Sequence, residues 1–254
     1  MGDVQFDFCD KSFVVVGASS GIGRQITKEL AESGANVLAV ARNRERLEDL
    51  TGMSSHIQIR TLDVLSATPD DWNALATAFV EEYGKIHGAV YTAGISGATP
   101  LRGFDEAFAY RIMETSFWGA VRALQSMTKK KFSHEKASFV LFSSVAGVIG
   151  GKGMFAYAAA KAAVIAGVKT LAHDLARDGK RLNSISPGYV RTEMTRLYEN
   201  TSNIPTNVIQ NHLLGIGEAN QVSGMALFLL SNQAEWITGQ NFVLDGGYLC
   251  GPWN

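Results

Sequence analysis

The sequence places Tyr157 and Lys161 four residues apart in an alanine-rich segment. On a helix, this spacing brings both side chains to one face, one turn apart. A lysine ammonium close to a phenol favours the ionised phenol, so such a pair can exchange a proton near neutral pH. Ser144 follows a short apolar run, and its hydroxyl can hold a substrate carbonyl oxygen while Tyr157 donates a proton. One such pair alone is usually an ordinary helical pair, so the interpretation depends on what accompanies it.

A glycine-rich segment, residues 17–23, lies between an apolar run and an amphipathic one. Glycines between a strand and a helix permit a tight turn, and the helix N terminus offers free N–H groups to a pyrophosphate. The alternative is a glycine-rich turn with no ligand. Because no lysine follows the last glycine, the segment does not match a triphosphate-binding loop. The residues assigned to the phosphates of a dinucleotide are Gly17, Ser19, Ser20, Gly21, Ile22 and Gly23.

The end of the next apolar run indicates which dinucleotide fits. An acid about 20 residues past the glycines would hold a ribose 2′-hydroxyl and repel a 2′-phosphate. Here Ala41 stands at that position and Arg42 follows it. Arginine forms charge-assisted bonds to phosphate, so we expect NADP(H) to be preferred over NAD(H). The alternative is that Arg42 only pairs with a nearby carboxylate such as Glu45.

Apolar runs of strand length alternate along the chain with longer amphipathic segments. This alternation predicts a parallel sheet with helices on both faces, that is, an α/β, Rossmann-type doubly wound fold of about seven strands. The predicted strands are 12–16, 36–40, 57–62, 88–92, 137–142, 182–185 and 241–244. The predicted helices are 24–33, 44–50, 69–83, 105–131, 155–177 and 218–230. We expect one domain, 1–254, with a polar substrate loop at about 190–217.

Composition narrows the functional classes. Among 254 residues, Lys and Arg number 23 against 24 Asp and Glu, and this balance argues against a general nucleic-acid or acidic-membrane binder. Cys9 and Cys250 suggest no disulfide, and the five histidines have no metal-ligand spacing, so no metal is expected. The N terminus lacks an apolar signal core, and the apolar runs fall short of the roughly 18 residues of a membrane helix. A cytoplasmic protein is therefore expected.

Taken together, these motifs resemble the short-chain dehydrogenase/reductase family in its single-domain form. The matching segments are 17–23, Asp63-Val64, Ala93-Gly94, Ser144, Tyr157 with Lys161, 183–192 and 238–247. The resemblance implies that Asp63 and Val64 hold the adenine and that Ala93 and Gly94 pass beneath a ribose. It also implies that Tyr157 and Lys161 contact the cofactor and that Lys161 bonds the nicotinamide ribose. Pro187, Gly188, Val190 and Thr192 would position the carboxamide. The family is commonly tetrameric, so a homo-oligomer, a tetramer or a dimer, is expected.

Three positions depart from the family pattern. Val16 stands where the glycine motif usually opens with threonine, and Tyr91-Thr92 stands where the family has Asn-Asn. Ser116 replaces the asparagine that supports a water-mediated proton relay to the lysine. Since serine can still bind water, we keep Ser116 with Ser144, Tyr157 and Lys161 as catalytic candidates and expect slower catalysis rather than none.

The expected activity is NADPH-dependent reduction of a ketone or 3-oxoacyl compound. The second substrate class depends on a similarity in length and C-terminal sequence to 3-oxoacyl-acyl-carrier-protein reductases. One alternative is an alcohol, sugar or steroid dehydrogenase working oxidatively, and another is an NADP-sensing regulatory protein without turnover. The partner is a small-molecule carbonyl or acyl thioester, with no nucleic acid and no membrane. Candidate substrate contacts are Ser96, Val145, Met154, Tyr189 and Tyr198.

Overall fold

A computed structural model describes residues 4–196 and 206–251. Within these residues, seven strands form one sheet: β1 (Ser12–Val16), β2 (Asn36–Ala41), β3 (Ile57–Thr61), β4 (Ile86–Tyr91), β5 (Ser133–Phe142), β6 (Arg181–Pro187) and β9 (Asn241–Leu244). Their order in the sheet is β3-β2-β1-β4-β5-β6-β9, and every neighbouring pair is parallel. A separate parallel pair consists of β7 (Val190–Arg191) and β8 (Gly217–Glu218). The predicted fold class is confirmed.

Helices cover both faces of this sheet. They are α1 (Gly21–Glu32), α2 (Arg44–Thr51), α3 (Pro69–Tyr83), α4 (Glu106–Met113), α5 (Gly119–Met127), α6 (Ala146–Ile149), α7 (Phe155–Ala176), α8 (Thr206–Asn211) and α9 (Ala219–Leu230). Helices α1, α2 and α9 pack in one hydrophobic core, whereas α3, α5 and α7 pack in a second core. Strands buried between two such cores need apolar side chains at every position, and β1 is buried throughout. The carboxyl ends of β1, β4, β5 and β6 therefore meet at one edge of the sheet.

The helix predicted over 105–131 is interrupted and ends early. One π-helical turn, Glu114–Trp118, separates α4 from α5, and the helix ends at Met127. The phenol of Tyr91, at the end of β4, donates a hydrogen bond of 2.7 Å to the Thr115 carbonyl. The Gly119 N–H bonds to the carbonyl five residues earlier, and a Cβ on Gly119 would overlap the Tyr91 oxygen. A distant tyrosine thus distorts the helix, and only glycine fits beside it.

Two further boundaries differ from the prediction. Strand β5 begins at Ser133, four residues earlier than expected, because Ser133 already pairs with Ile86 on β4 before the register shifts. The predicted loop at 190–217 contains β7, α8 and the first residue of β8, whereas residues 197–205, with Tyr198, lie outside the described part of the chain. These short elements have too few residues to show a period in the sequence.

The longest described helix, α7, is long and apolar enough to cross a membrane by length and composition alone, with a mean hydropathy of 1.3. The helix itself was predicted over 155–177, but its apolar length was not, because Lys161 and other polar residues interrupt the apolar runs of the sequence. Val164, Val168 and Ala172 on its buried face pack in the core beside the sheet. A helix that packs in the core of a protein can satisfy the same two criteria, length and apolar composition.

Candidate functional site

A cavity of about 680 Å³ opens at the carboxyl edge of the sheet. The sequence-predicted residues that line it are Gly17, Ser19, Ser20, Gly21, Ile22, Gly23, Arg42, Val64, Ala93, Gly94, Ser144, Tyr157, Lys161, Pro187, Gly188, Val190 and Thr192. These residues lie at or just after the ends of β1 to β7 or in the first two turns of α1 and α7, and they converge because the sheet is parallel. Asp63 and Ser116 lie outside the lining. The candidate substrate contacts Ser96, Val145, Met154 and Tyr189 also lie outside it.

The glycine loop between β1 and α1 is closed by Thr92 at the end of β4. The Thr92 hydroxyl donates to the Val16 carbonyl at 2.9 Å and lies 3.3 Å from the Gly17 carbonyl oxygen. A Cβ on Gly23 would overlap both the Gly17 carbonyl and this hydroxyl. Gly17 has a φ of +90°, a conformation that L side chains rarely adopt. Thr92 therefore supplies a side-chain hydrogen bond to the loop that opens with Val16.

The N terminus of α1 already binds an anion within the chain. Ser20, the N-cap residue, makes no side-chain capping bond, and the Gly21 N–H donates to Glu193 Oε2 at 2.9 Å. Thr192 packs against Gly21, with its methyl carbon 3.1 Å from where a Cβ would stand. The loop thus presents an N–H group to a negatively charged oxygen, which is what a pyrophosphate offers. The residues present fit a dinucleotide in this respect.

Lys161 is buried, with 4% of its surface exposed. Its ammonium donates to the Phe142 carbonyl at 2.8 Å and lies 5.7 Å from the centre of the Tyr157 ring. Burial disfavours the charged form and lowers the pKa of Lys161 to about 8. The Ser143 hydroxyl donates to the Lys161 carbonyl at 2.7 Å and so fixes α7 against the end of β5.

Ser144 is held at the end of β5, where its Oγ accepts the Ala146 N–H at 3.2 Å as α6 begins. A Cβ on Gly147 would overlap the backbone of Lys161 and Ala162, so α6 packs directly on α7. This contact and the shared cavity bring Ser144 to the region of Tyr157 and Lys161, as the sequence order of strand and helix predicts. Among the described residues, the Ser144 hydroxyl donates no hydrogen bond, so its hydrogen can be offered to a ligand.

Ser116 faces the same region from the π-helical turn. Its Oγ is buried and has no hydrogen-bond partner among the described residues. This oxygen and the Lys161 ammonium lie 3.5 and 3.4 Å from the position that a Cβ on Gly94 would occupy. The two polar groups therefore border one small space beside Gly94. An unpartnered buried hydroxyl commonly binds an ordered water.

Two arginines line the cavity where β2 ends and α2 begins. The sequence analysis identified Arg42, whereas Arg46 was missed. The Asn43 side chain caps α2 by accepting the Arg46 N–H at 2.9 Å, which brings the first turn of the helix to the cavity. Arg44 points elsewhere and bonds Glu48 at 2.7 Å. Within residues 4–196 and 206–251, no ion pair joins Arg42 to Glu45. The spacing of four residues between Arg42 and Arg46 is the signal that could have identified the second arginine.

Two other residues near the cavity fix the backbone at its border. The Asp63 carboxylate accepts the Leu65 N–H at 3.0 Å and thus braces the turn after β3, while its neighbour Val64 lines the cavity. His212, which sequence analysis did not single out, is buried and accepts the Tyr189 N–H at 3.0 Å through Nε2. It stacks on Tyr248 with ring centres 4.6 Å apart. His212 therefore fixes the backbone just after Gly188.

Comparisons with known proteins agree with this geometry. Residues 17–249 match the family model described as enoyl-(acyl carrier protein) reductase. The 3-oxoacyl-acyl-carrier-protein reductase of Chlamydia muridarum is 32% identical over 246 residues, covering 94% of this chain and 97% of that protein. The corresponding protein of Staphylococcus aureus is 30% identical over 243 residues, covering 93% and 97%.

A short-chain type dehydrogenase/reductase from Mycobacterium ulcerans has a similar structure. The TM-score is 0.88 at 27% identity, covering 96% of this chain and 92% of that one. The chain therefore belongs to the short-chain dehydrogenase/reductase family and is an NAD(P)-dependent oxidoreductase.

Proposed function

We propose that the protein reduces a ketone or a 3-oxoacyl thioester to an alcohol, with NADPH as cofactor and Tyr157 as proton donor. The observation that carries this proposal is the convergence of Ser144, Tyr157 and Lys161 with the glycine loop in one cavity. The thioester class is supported by the two relatives named as 3-oxoacyl-acyl-carrier-protein reductases.

The glycine loop would hold the pyrophosphate, and Arg42 and Arg46 would face a 2′-phosphate at the other end of the cavity. Gly94, Pro187, Gly188, Val190 and Thr192 line the same cavity as Ser144 and Tyr157, and we propose that the last four position the nicotinamide. When bound there, the nicotinamide supplies a hydride to the carbonyl carbon or takes one from the alcohol carbon. We propose that Asp63 and Val64 hold the adenine, and that the Asp63 carboxylate also fixes the turn after β3 by accepting the Leu65 N–H.

The protein's own residues would bind the carbonyl oxygen and supply its proton. The Ser144 hydroxyl donates a hydrogen bond to that oxygen, and Tyr157 donates the proton that completes the alcohol. The Lys161 ammonium stabilises the negative charge left on the Tyr157 oxygen. A water bound by Ser116 would return a proton towards Lys161 and Tyr157. These steps require Lys161 to be charged when Tyr157 gives up its proton.

We further propose that residues 1–254 act as one domain in a cytoplasmic homo-oligomer, a tetramer or a dimer, without nucleic-acid or membrane partners. The segment at 190–217 would close over the substrate. In that closed arrangement, Ser96, Val145, Met154, Tyr189 and Tyr198 would contact the substrate. The exposed apolar side chains of Phe104 and Phe155, whose ring centres lie 5.2 Å apart, support an apolar substrate mouth beside Tyr157.

Paired titrations of the purified protein with NADPH and NADH, followed by cofactor fluorescence, test the cofactor assignment. Tighter NADPH binding supports the proposal, whereas preference for NADH would favour a dehydrogenase working oxidatively. Turnover is then measured on ketones and 3-oxoacyl thioesters. Tyr157→Phe should lower kcat by roughly 10²–10⁴-fold without weakening cofactor binding to the same degree. Cofactor binding with no turnover on any carbonyl would instead favour a sensing protein.

A further inference from the structure

A second cavity, of about 230 Å³, lies at the opposite, amino edge of the sheet. Its described lining comes from the residue before β1, from β4, from the first half of β5 and from the end of α9. The residues are Lys11, His87, His134, Glu135, Lys136, Ala137, Leu230 and Asn232. No step proposed at the carboxyl edge of the sheet uses these residues.

The cavity is formed by an irregular pairing of β4 with β5. Ile86 pairs with Ser133 and Gly88 pairs with Ser138, so His87 alone faces the four residues 134–137. The bulge contains Lys136 at a φ of +65°, and Lys11 follows Asp10 at a φ of +60°. Within residues 4–196 and 206–251, Asp10 and Lys136 are the two non-glycine residues with positive φ. Backbone strain of this kind is found preferentially at ligand-binding sites.

His87 is fixed as a neutral hydrogen-bond donor. Its Nδ1 accepts the Ser12 N–H at 3.0 Å, so in the neutral ring the proton is on Nε2. Burial is the main cause that lowers the pKa of His87 to about 4, and the nearby charges of His134 and Lys11 are smaller causes. Its ring lies against His134 with centres 4.2 Å apart. The ring therefore keeps an N–H group among the residues of this cavity at neutral pH.

The charges around the cavity favour an anion. Neither the Lys11 nor the Lys136 ammonium forms an ion pair or a hydrogen bond with any described residue; Lys11 lies 5.5 Å from the Phe8 ring centre. Glu135 is the only acid in the described lining, and Asp7 and Asp10 precede Lys11. The described residues contain no cluster of histidines and acids that could hold a metal ion. The two ammonium groups of one cavity repel one another unless an anion lies between them.

We propose that this cavity binds a tetrahedral oxyanion, either free phosphate or the phosphate group of a small ester, between Lys11, Lys136, His87 and His134. The ammonium groups supply charge and the His87 N–H supplies a directed hydrogen bond. The cavity is larger than a single phosphate, so it has room for the small organic part of an ester.

Imidazole nitrogen NMR of the full chain tests the proposal, because only five histidines are present. Sulfate, which keeps its double charge at pH 7, is titrated at constant ionic strength against chloride. Saturable shifts of the His87 and His134 signals, assigned with His87→Gln and His134→Gln, are expected. These signals report this cavity and not the glycine loop. Glycerol 3-phosphate and inorganic phosphate are then compared, and tighter binding of the former identifies an ester site.

Three variants separate binding from folding. Lys11→Met and Lys136→Gly should each weaken the sulfate Kd about tenfold, and Lys136→Gly should also raise stability because glycine relieves the positive φ. Lys169→Met, which removes an exposed charge on α7 away from this cavity, should leave the sulfate Kd unchanged. Shifts that grow linearly without saturation, or equal Kd values in the three variants, would overturn the proposal.

Discussion

The Glu193 carboxylate accepts a hydrogen bond from the Gly21 N–H at 2.9 Å, although the two residues are 172 positions apart. The bond places a negative charge at the N terminus of α1, where the positive end of the helix dipole lies. The segment after β7 therefore contacts the same backbone group that we assign to the pyrophosphate. A dinucleotide that binds the loop must displace this carboxylate or share the N–H with it.

Glu193→Gln should therefore tighten NADPH binding. An exposed charge at a helix N terminus contributes about 0.3–1 kcal/mol, which corresponds to a Kd roughly 2–5-fold lower when the competing carboxylate is removed. The affinity is measured by cofactor fluorescence at low salt. Glu81→Gln, which removes an exposed acid on α3, is the matched control. Weaker NADPH binding in Glu193→Gln would mean that the carboxylate assists the cofactor rather than competing with it.

Arg42→Ala and Arg46→Ala should each raise the Kd for NADPH about tenfold and leave the Kd for NADH nearly unchanged. Removing one charged hydrogen bond to a phosphate costs roughly 1.5 kcal/mol. Arg44→Ala is the control on the same helix, because Arg44 bonds Glu48 and lies outside the cavity lining. Arg42→Asp should go further and favour NADH. An equal rise in the Kd for NADPH and for NADH would show that the arginines support the fold rather than bind a 2′-phosphate.

The strands, most helices and the glycine loop could be predicted because each is determined by signals within a short stretch of sequence. Residues 12–16 form a strand at the predicted bounds, and α3 spans 69–83 as predicted. Their apolar spacing and the Thr68 cap are local signals. The same locality places Tyr157 and Lys161 one turn apart on α7.

The features that the sequence did not reveal depend on contacts between distant segments. The Thr92 hydroxyl donates to the Val16 carbonyl, 76 positions away. The Tyr91 hydroxyl, at the end of β4, donates to the Thr115 carbonyl in the π-helical turn. Neither contact leaves a period or a motif in the chain. The resulting π-helical turn also determines where the Ser116 side chain points. The position of Ser116 in the sequence alone therefore could not predict that its hydroxyl borders the same small space as the Lys161 ammonium.

Ser116→Ala should leave folding intact and lower turnover several-fold. The buried Ser116 hydroxyl has no protein partner among the described residues, so its removal should change the free energy of unfolding by less than about 1 kcal/mol. Ser116→Asn should raise turnover. Ser126→Ala on α5 is the control, because the Ser126 hydroxyl donates to the Asn73 side-chain oxygen at 2.8 Å. This variant should lower the free energy of unfolding by about 1 kcal/mol and leave turnover unchanged. Full turnover in Ser116→Ala would exclude a relay through this residue.

The buried Lys161 should make both stability and activity depend on pH. Its pKa falls from 10.5 to about 8 on folding, so between these values the unfolded chain binds more protons than the native protein. The free energy of unfolding should therefore rise with pH across this window, by up to about 3 kcal/mol, relative to Lys161→Met. Urea denaturation of both proteins at pH 7.5 and 9.5 measures this difference.

Carbonyl reduction should change in the opposite sense across the same window. Above pH 8, the neutral Lys161 amine no longer stabilises the charge that forms on Tyr157, so kcat/KM for reduction should fall as pH rises. In Lys161→Met, the rate should be lower at every pH and this transition near pH 8 should be absent. A transition that persists unchanged in Lys161→Met would assign the pH dependence to another group and would remove Lys161 from the proposed proton transfer.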